Sequence, residues 1–503
     1  MDFFDESNKI MEKIIITSSM LVLFASATLA QSADTIANIT SPVKNYTVVP
    51  AGTTTSGKIV VNVNGSESDS PYTVAGTLNV NAGGDVFADN WNGSDIIDSN
   101  ADAITVNVNS GTIQTAILGQ QTKGTKIYGN VVQSINGGTL GYGTQTTADC
   151  NIIRGFGTYG ATDNPVVIYG NNTLNIGSKD SNAAQPTIYG YITSQQGAIV
   201  KGNTYINIMG GAITKYTGTY TNVFAGPSYK GVIEGSVYVN MSGGRVDSHI
   251  HGGGVAGANA GKILGSTNIT ISGGTIAGSV FGGYSGAGGS ANGVNITLIG
   301  DGNNINIGGD ICGGSRNTTD VSLLGTKTLY IGNSEQSFVG AEGQTFSAKQ
   351  FDNIIVSSGS SIVFRNLEIY NDTIITLEQP SVALFATTDS QQLSINNLTV
   401  VFEDRYFTEG DILTADDVAS LGVVLSAMPE GKSITLISVN SQTKEETLSY
   451  ATVGGNSIEV NVVVPEPAEW AMIFGALALG LALYRKRKFF YIFYMTGTDR
   501  RLP

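Results

Sequence analysis

The segment 267–283, which reads TNITISGGTIAGSVFGG, is the pattern from which most of this chain is built. It contains a strand with alternating apolar residues, a corner at Gly273-Gly274, two more short apolar strands and a closing glycine pair. Similar segments occupy residues 104–120, 204–213 and 236–253. The corners of one run of repeats begin at Gly83, Ser110 and Gly137, so they are 27 and 27 residues apart. The corners of a second run begin at Gly210, Gly243, Gly273 and Gly300, at spacings of 33, 30 and 27 residues. Short strands and glycine corners that recur about every 30 residues are typical of a solenoid.

The repeats predict an all-β chain in which residues 56–334 form a right-handed parallel β-helix. Alignment on the corners brings apolar residues to shared positions: Ile113 with Val246 and Ile276, Ile117 with Ile250 and Val280, and Leu118 with His251 and Phe281. Parallel strands stacked in register turn such positions into continuous inner rows. A slip of one residue would turn each row outward, so the apolar pattern fixes the register.

Composition and charge narrow the class of protein. Glycine accounts for 65 of 503 residues and charged residues for only 13%, which together with frequent valine and threonine favours repetitive β structure. The formal net charge is −14, and so acidic a chain repels phosphate backbones. We therefore expect no nucleic-acid partner, whereas divalent cations and neutral glycans remain compatible with the charge.

The two cysteines, Cys150 and Cys312, are too few for a disulfide framework. A solenoid would separate them by several turns, whereas a disulfide needs Cα atoms within about 7 Å. We expect both thiols to be unpaired.

The N-terminal segment predicts export. Residues 1–30 have the features of a signal peptide, with Lys13 before an apolar run and small residues before the cleavage site. Met11 fits the true start, because the residues before it are acidic. Residues 31–55 have little periodicity and predict a linker or a cap.

Residues 335–463 predict a β-rich C-terminal region. Strand-like runs continue there with few glycine corners, and one short helix is expected to begin with a cap at Thr414. Such a region would cover the open end of the solenoid, which otherwise exposes strand edges and core. The sequence leaves open whether it is a separate domain or a set of irregular further turns.

The most specific motif occupies residues 464–488. Pro465, Glu466 and Pro467 precede an apolar run at 470–484, which is followed by the basic cluster Arg485, Lys486, Arg487 and Lys488. As a helix, the apolar run would span about 22 Å of a hydrocarbon core that is about 30 Å thick. The basic cluster would stay on the cytoplasmic side, with residues 31–464 outside.

This order of parts resembles the PEP-CTERM sorting signal of exosortase-bearing bacteria. The resemblance implies that Pro465, Glu466 and Pro467 are recognised by an exosortase-type processing enzyme, and that the short transmembrane helix is removed after export. A permanent anchor is the alternative, and the chain departs from the family in its tail, residues 489–503. The repeats also resemble those of bacterial surface β-helix proteins, including autotransporter passengers. An autotransporter would end in a barrel of strands, whereas this chain ends in one apolar segment.

Asp247, His249 and His251 include both histidines of the chain and have metal-ligating spacing. Period-2 geometry would place all three on one strand face, and a His-x-His pair can bind zinc. His251 shares its position with Phe281, so a substituted inner row is the alternative. No nucleophile accompanies the motif, and we expect neither catalytic residues nor a resident metal.

A second polar cluster surrounds Trp91 and contains Asp85, Asp89, Asp95, Asp98 and Asp102. Carboxylate oxygens suit calcium, and an exposed tryptophan can stack on a sugar ring. The spacing matches neither an EF-hand loop nor a calcium-binding β-helix repeat. Calcium binding, glycan contact through Trp91 and an ordinary solvated loop are the alternatives.

Together these patterns predict an exported, adhesin-like, non-catalytic β-solenoid protein without a cofactor. We expect it at the cell surface or in the extracellular matrix, transiently anchored through residues 470–484, with an exopolysaccharide or surface glycan as the candidate partner. The alternative is a surface-displayed polysaccharide lyase or glycoside hydrolase on a β-helix. Such an enzyme needs converging carboxylates and basic residues in a groove, but basic residues are sparse in the repeats.

Overall fold

The computed structural model describes residues 33–464 except 51–52, 54–55, 66–72, 90, 92–100, 120–121, 142–150, 157–162, 216–220, 228–229, 255–260, 284–290, 317–324, 369–371, 386–394, 415–416, 418–427, 429 and 455–456. Within these residues the chain is all-β, with one short 3-10 helix at Gly302–Asn304 and no α-helix.

The strands are, in chain order, β1 (Thr35–Ile39), β2 (Val43–Thr47), β3 (Ile59–Asn64), β4 (Val74–Asn79), β5 (Val86–Phe87), β6 (Asp102–Ser110), β7 (Thr112–Ile117), β8 (Lys126–Tyr128), β9 (Asn130–Ile135), β10 (Thr139–Leu140), β11 (Asn151–Phe156), β12 (Val167–Ile168), β13 (Asn172–Ile176), β14 (Thr187–Tyr189), β15 (Tyr191–Gln195), β16 (Ile199–Val200), β17 (Thr204–Ile208), β18 (Ala212–Thr214), β19 (Asn222–Phe224), β20 (Val232–Ile233), β21 (Val237–Val246), β22 (His249–His251), β23 (Lys262–Ile263), β24 (Thr267–Ile276), β25 (Val280–Phe281), β26 (Gly293–Leu298), β27 (Gly300–Asp301), β28 (Ile305–Ile307), β29 (Asp310–Cys312), β30 (Thr326–Ile331), β31 (Phe338–Val339), β32 (Phe346–Lys349), β33 (Asn353–Val356), β34 (Ser361–Leu367), β35 (Ile374–Glu378), β36 (Val382–Phe385), β37 (Asn397–Glu403), β38 (Ile412–Thr414), β39 (Ser433–Val439), β40 (Glu446–Gly454) and β41 (Ser457–Val464).

The chain divides into two compact units. Unit 1 comprises the residues up to Leu329 together with Phe346–Phe351, and unit 2 comprises Tyr330–Thr345 and the residues from Asp352 onward.

Unit 1 consists of parallel strands that return to the same ladder about every 30 residues. The first nine strands of its first ladder are, in order, β1, β3, β6, β9, β13, β17, β21, β24 and β26. Thr204 pairs with Val237, Val237 with Thr267, and Thr267 with Val294, at separations of 33, 30 and 27 residues. These separations equal the corner spacings after Gly210, so the parallel repeat predicted for this stretch is confirmed. The arrangement is compatible with a β-solenoid.

Three further parallel ladders complete the turns of unit 1. The second ladder runs through β2, β4, β7, β10, β14, β18, the ends of β21 and β24, and β28. The third ladder runs through β11, β15, β19, β22, β25, β29 and β32. The fourth ladder is a six-stranded sheet of β5, β8, β12, β16, β20 and β23. The sequence pattern indicated three strands in a repeat. The sequence pattern does not show the fourth strand, because most strands of the fourth ladder have only two residues, which are too few to reveal a period.

Apolar side chains of successive turns stack as continuous inner rows. One buried row contains Ile113, Leu140, Ile188, Ile213, Val246, Ile276 and Ile307. A second contains Ile192, Val223, Ile250, Val280 and Ile311. Burying each such side chain stabilises the fold by roughly 1.5–3 kcal/mol relative to leaving it exposed.

The predicted rows are wrong by one residue at β7. The register that runs through β11, β15 and β19 places Ala116, and not Ile117, in the row of Ile250. Ile117 lies in the row of His251. The reason is that Ile113 and Ala116 lie on one uninterrupted strand, whereas the strand break after Val246 adds a residue before Ile250.

Glycine corners bend the long strands β21 and β24 between the first and second ladders. Gly274 has φ +97°, and a Cβ added there would lie 2.7 Å from the carbonyl oxygen of Gly243. Gly244 has φ +75°, and its Cβ would lie 2.7 Å from the carbonyl oxygen of Gly210. Both the backbone conformation and the close stacking of successive corners therefore require glycine.

The repeats are less regular near the N-terminus. Ile59 pairs with Ile104 at a separation of 45 residues, so the 27-residue spacing from Gly83 to Ser110 is not one turn. Parallel pairing begins with β1, which pairs with β3 and lies inside the segment that the sequence predicts as a linker or a cap.

Unit 2 combines parallel ladders with an antiparallel meander. The strands β33, β35, β37 and β39 are parallel, and so are β31, β34 and β36. Next, β40 pairs antiparallel with both β39 and β41, and β38 pairs antiparallel with β41. These strands give the β-rich structure that the sequence predicts for residues 335–463.

Thr414 and Asp417 are joined by hydrogen bonds in unit 2. The backbone N–H and the hydroxyl of Thr414 donate to Asp417 Oδ2 at 2.7 and 2.9 Å. The residues that follow, 418–427, lie outside the described ones, so the short helix and its cap at Thr414 stay predictions.

Both ends of the chain also lie outside the described residues. The signal peptide, the Pro465–Pro467 motif, the apolar run, the basic cluster and the tail therefore stay predictions. Within the part of the chain that the structure describes, no helix is long and apolar enough to cross a membrane.

Candidate functional site

The D-x-H-x-H motif does not lie on one strand face. Because β21 ends at Val246 and β22 begins at His249, Asp247 lies in the corner between them. Its carboxylate accepts a hydrogen bond from the hydroxyl of Thr214 and pairs with the guanidinium of Arg245. The prediction that all three motif side chains share one face is therefore wrong, since the corner interrupts the strand.

His251 belongs to a buried stack of rings. Its imidazole lies between Phe224 and Phe281, with centroid distances of 4.7 and 5.0 Å and interplanar angles of 17° and 12°. The residue is 0% exposed, and neither ring nitrogen has a hydrogen-bond partner among the described residues. Burial, with smaller effects from His249 and Arg316, lowers the pKa of His251 from 6.5 to about 3. The geometry matches the alternative interpretation in that His251 is a substituted position in a buried row of phenyl rings.

His249 links its turn to the next one. Its Nδ1 accepts a hydrogen bond from the backbone N–H of Ser279 at 2.8 Å. Asn222 Oδ1 accepts in the same way from the N–H of His249 at 3.3 Å, and Ser279 Oγ from the N–H of Asp310 at 3.0 Å. Asn222, His249 and Ser279 occupy the same position in successive turns, and the side chain of each accepts a backbone N–H of the following turn. Burial lowers the pKa of His249, and the charges of Arg316 and Lys215 lower it further.

The two histidines therefore contribute to contacts between turns. One nitrogen of His249 is already an acceptor, and the His251 ring lies 5.9 Å away, edge to face. In the described part of the chain, no three His, Cys, Asp or Glu side chains are grouped so that they could hold a metal ion.

The acidic side chains near Trp91 also contact other turns. Asp85 Oδ1 accepts from the backbone N–H of Lys126 at 2.9 Å. Asp89 forms an ion pair with Lys58 at 3.0 Å. These two carboxylates thus have different partners, a backbone N–H for Asp85 and an ammonium group for Asp89. The remaining acids of the cluster are Asp102, which begins β6, and two residues outside the described ones, Asp95 and Asp98.

Trp91 packs against rings of the fourth ladder. Its ring centroid lies 4.2 Å from that of Phe87 and 5.1 Å from that of Tyr128. Tyr128 in turn stacks on Phe87 at 5.1 Å and on Tyr169 at 4.9 Å. The indole is half-buried at the end of this stack, which gives it a packing role.

Cys312 is buried, and its thiol donates to Gln350 Oε1 at 3.0 Å. Cys150 lies outside the described residues. The thiol of Cys312 thus serves a contact between β29 and the residue that follows β32.

A column of asparagines runs along the outer face of the first ladder, and the sequence analysis missed it. Side-chain amides donate from Asn62 to Asn38 and from Asn107 to Asn62 at 3.0 Å, and from Asn207 to Asn175 and from Asn240 to Asn207 at 2.9 Å. Ser134 lies in register between Asn107 and Asn175, and its hydroxyl accepts from Asn175 at 3.3 Å. The signal was present as VNVN at 61–64 and at 106–109.

The part of the outer face formed by this column and the column beside it is uncharged from β3 to β26, and the half-exposed Asp102 at the start of β6 precedes it. We call it the neutral face and define it by Val60, Asn62, Thr105, Asn107, Val132, Ser134, Thr173, Asn175, Tyr205, Asn207, Tyr238, Asn240, Asn268, Thr270, Asn295 and Thr297. Two of its rings, Tyr205 and Tyr238, stack at 5.0 Å with an interplanar angle of 11°. Asn203 donates to the Tyr205 hydroxyl at 3.1 Å. Stacking and this hydrogen bond hold the ring in one orientation.

Comparison with known proteins finds no matching family model, no matching curated protein and no matching solved structure.

Proposed function

We propose that this chain is an exported, adhesin-like, non-catalytic protein whose unit 1 is a right-handed parallel β-helix. The observation that carries the proposal is the stack of nine strands in the first ladder, with inner apolar rows and outer polar columns in register. A body made by repetition offers a long ordered surface, which suits display and adhesion. We place it at the cell surface or in the extracellular matrix.

The contacts of the candidate chemical residues support a non-catalytic role. A glycoside hydrolase needs two carboxyl groups about 5 to 9.5 Å apart across the scissile bond. Asp85, Asp89 and Asp247 each already accept a hydrogen bond or form an ion pair with a group of the protein. His249 accepts a backbone hydrogen bond, and His251 is enclosed by rings. The polar groups that the sequence singles out are thus used between turns.

The order of segments in the sequence supports transient anchoring during export. In this proposal residues 1–30 are removed as a leader, and residues 470–484 hold the chain in the membrane. Arg485, Lys486, Arg487 and Lys488 keep the end cytoplasmic. Pro465, Glu466 and Pro467 are then the recognition element of an exosortase-type enzyme.

Expression of the full chain in an exosortase-bearing bacterium, beside an isogenic strain without the enzyme, tests this proposal. We expect a mature protein that starts at Gln31 and lacks residues 470–484 by mass spectrometry, and that reacts with a membrane-impermeant biotin reagent. In the strain without the enzyme, or with Glu466→Ala, the tail should remain attached. An unlabelled protein that keeps both ends in both strains would contradict the proposal.

A further inference from the structure

We propose that the neutral face binds a neutral, hydroxyl-rich polysaccharide that lies along the columns of the first ladder. The inference rests on the proposed function, because the chain must reach the cell exterior to meet such a polymer. It adds the chemical class of the ligand and the surface that contacts it.

Charge is the first argument. The residues that define the neutral face include no charged side chain, although the formal net charge of the chain is −14; the nearest charged residue on these strands is Asp102, at the start of β6. The fourth ladder differs, because its outer residues include Lys126, Lys201, Glu234 and Lys262. An anionic polymer is repelled by the acidic protein, whereas a neutral polymer can cover this face without desolvating any ion.

Hydrogen-bonding capacity is the second argument. Asn207 donates one N–H to Asn175 and accepts one from Asn240, both at 2.9 Å. A side-chain amide has two N–H donors and two lone pairs, so one of each remains outside the column. Parallel strands repeat these groups about every 4.8 Å. A polymer with regularly spaced hydroxyls therefore meets the same donor and acceptor at successive turns.

Rigidity is the third argument. The hydrogen bonds along the column hold the amides in one orientation, and the stack holds Tyr205 and Tyr238. Because the two rings face each other, their edges and hydroxyls, and not their faces, are left to meet a ligand. Side chains already held in place lose little conformational entropy on binding. Flat sheets of many strands often rely on such ladders, and they keep the surface regular.

A second copy of this chain is the competing occupant, since asparagine ladders can also pair sheet against sheet. The structure favours the polysaccharide, because the column beside the asparagines changes from Val132 and Thr173 to the large rings of Tyr205 and Tyr238, whereas sheet-to-sheet pairing of copies needs the same side chain at every turn. The experiment below separates the two occupants.

The test is affinity electrophoresis of the full chain, purified after export, in gels that contain dextran, mannan or hydroxyethylcellulose. We expect at least one of these neutral polymers to retard the protein, and the anionic polymer alginate to leave it unretarded. Retardation by none of the three, or equally by alginate, overturns the inference.

Variants then locate the surface. Thr173→Glu and Thr270→Glu place a charge on the neutral face without removing a hydrogen bond of the asparagine column. Each should weaken retardation at least about 10-fold, because binding would desolvate the new carboxylate. Tyr205→Phe keeps the ring stack and should weaken it several-fold through loss of the hydroxyl.

Leu264→Glu is the matched control. This residue follows β23 of the fourth ladder and is 47% exposed, so the same charge is added to a different face. Retardation should stay within about 2-fold of wild type, because the new carboxylate remains in water. Circular dichroism shows whether each variant is folded. An equal loss in Leu264→Glu would overturn the assignment.

Sedimentation velocity gives the remaining outcome. If the wild type self-associates, Thr270→Glu abolishes the association and no neutral polymer retards the protein, then the face serves a second copy and the inference is wrong. These measurements use purified protein. They can therefore fail while processing and surface labelling in cells still succeed, and the reverse also holds.

Discussion

At position 251 an imidazole occupies a column in which the neighbouring turns carry phenyl rings. The ring stacks on Phe224 and Phe281 as a third aromatic side chain would, but it also buries two nitrogen atoms that have no partner among the described residues. A buried polar atom without a partner costs about 1–3 kcal/mol. From the sequence, alignment of His251 with Phe281 indicated this role, but the period-2 pattern also allowed a metal site. The corner at Asp247 decides between them, and no local sequence signal showed where β21 ends.

Replacement of this histidine should stabilise the protein. We expect His251→Phe to raise the free energy of unfolding by about 1–2 kcal/mol at pH 7.5, because it removes the unpartnered nitrogens and continues the ring stack. Chemical denaturation followed by circular dichroism measures this change. Phe281→His places another imidazole in the same stack and should destabilise. If both variants are destabilised alike, the environment of His251 is not apolar.

The same residue should make stability depend on pH. The pKa of His251 is about 3 in the folded protein and about 6.5 in the unfolded chain, so the unfolded chain binds more protons between these values. The contribution of neutral His251 to the free energy of unfolding is fully present above pH 6.5, and it declines as the pH falls towards 3. Between pH 7.5 and pH 5 the loss should be about 2 kcal/mol. Denaturation at both pH values should show that His251→Phe loses about 2 kcal/mol less unfolding free energy than the wild type between pH 7.5 and pH 5. The same pH dependence in both proteins would contradict the lowered pKa of His251.

At the scale of elements, the corners were the most predictable feature. A glycine pair followed by a short apolar strand locates the bends of β21 and β24, because close stacking of turns leaves no room for a side chain. The asparagine column was less predictable, since VNVN shows only a polar residue on the outer side of a strand. Its hydrogen bonds depend on which residues of other turns lie in register. The switch from parallel to antiparallel pairing at β39 and β40 was also hidden, because both kinds of strand show the same alternation.

A side chain at one of these corners should destabilise unit 1. We expect Gly274→Val to cost more than about 2 kcal/mol, because Gly274 has φ +97° and its Cβ would lie 2.7 Å from the carbonyl oxygen of Gly243. The unfolding midpoint measures this cost.

Gly293→Ala, at the start of β26, is the control for the corner. The nearest atom to its added Cβ is the Thr326 carbonyl oxygen at 3.3 Å, and its φ is not positive. It should lower stability by less than about 1 kcal/mol. Equal effects of the two substitutions would show that the corner is not tightly stacked.

At the scale of the whole molecule, the sequence could predict repetition but not the contacts between distant loops. The pairing of Lys58 with Asp89, and the bond from Lys126 to Asp85, join segments of different turns. These contacts depend on the lengths of the turns, which are 45 residues from β3 to β6 and 27 residues from β6 to β9. The strand register shows these lengths, but the sequence pattern does not. The acids around Trp91 therefore looked like one cluster in sequence, whereas in space at least two of them serve separate contacts.

The central claim is that residues one turn apart lie on adjacent strands throughout unit 1. Distances between spin labels test it most directly, with cysteines on the neutral face at Thr105 paired in turn with Tyr238, Asn268 and Asn295, and with Cys150 and Cys312 replaced by serine. These pairs are four, five and six strands apart in the first ladder. The account predicts narrow distance distributions centred at about 19, 24 and 29 Å, rising by one strand spacing each time. Broad distributions, or distances that do not rise in equal steps, would contradict it.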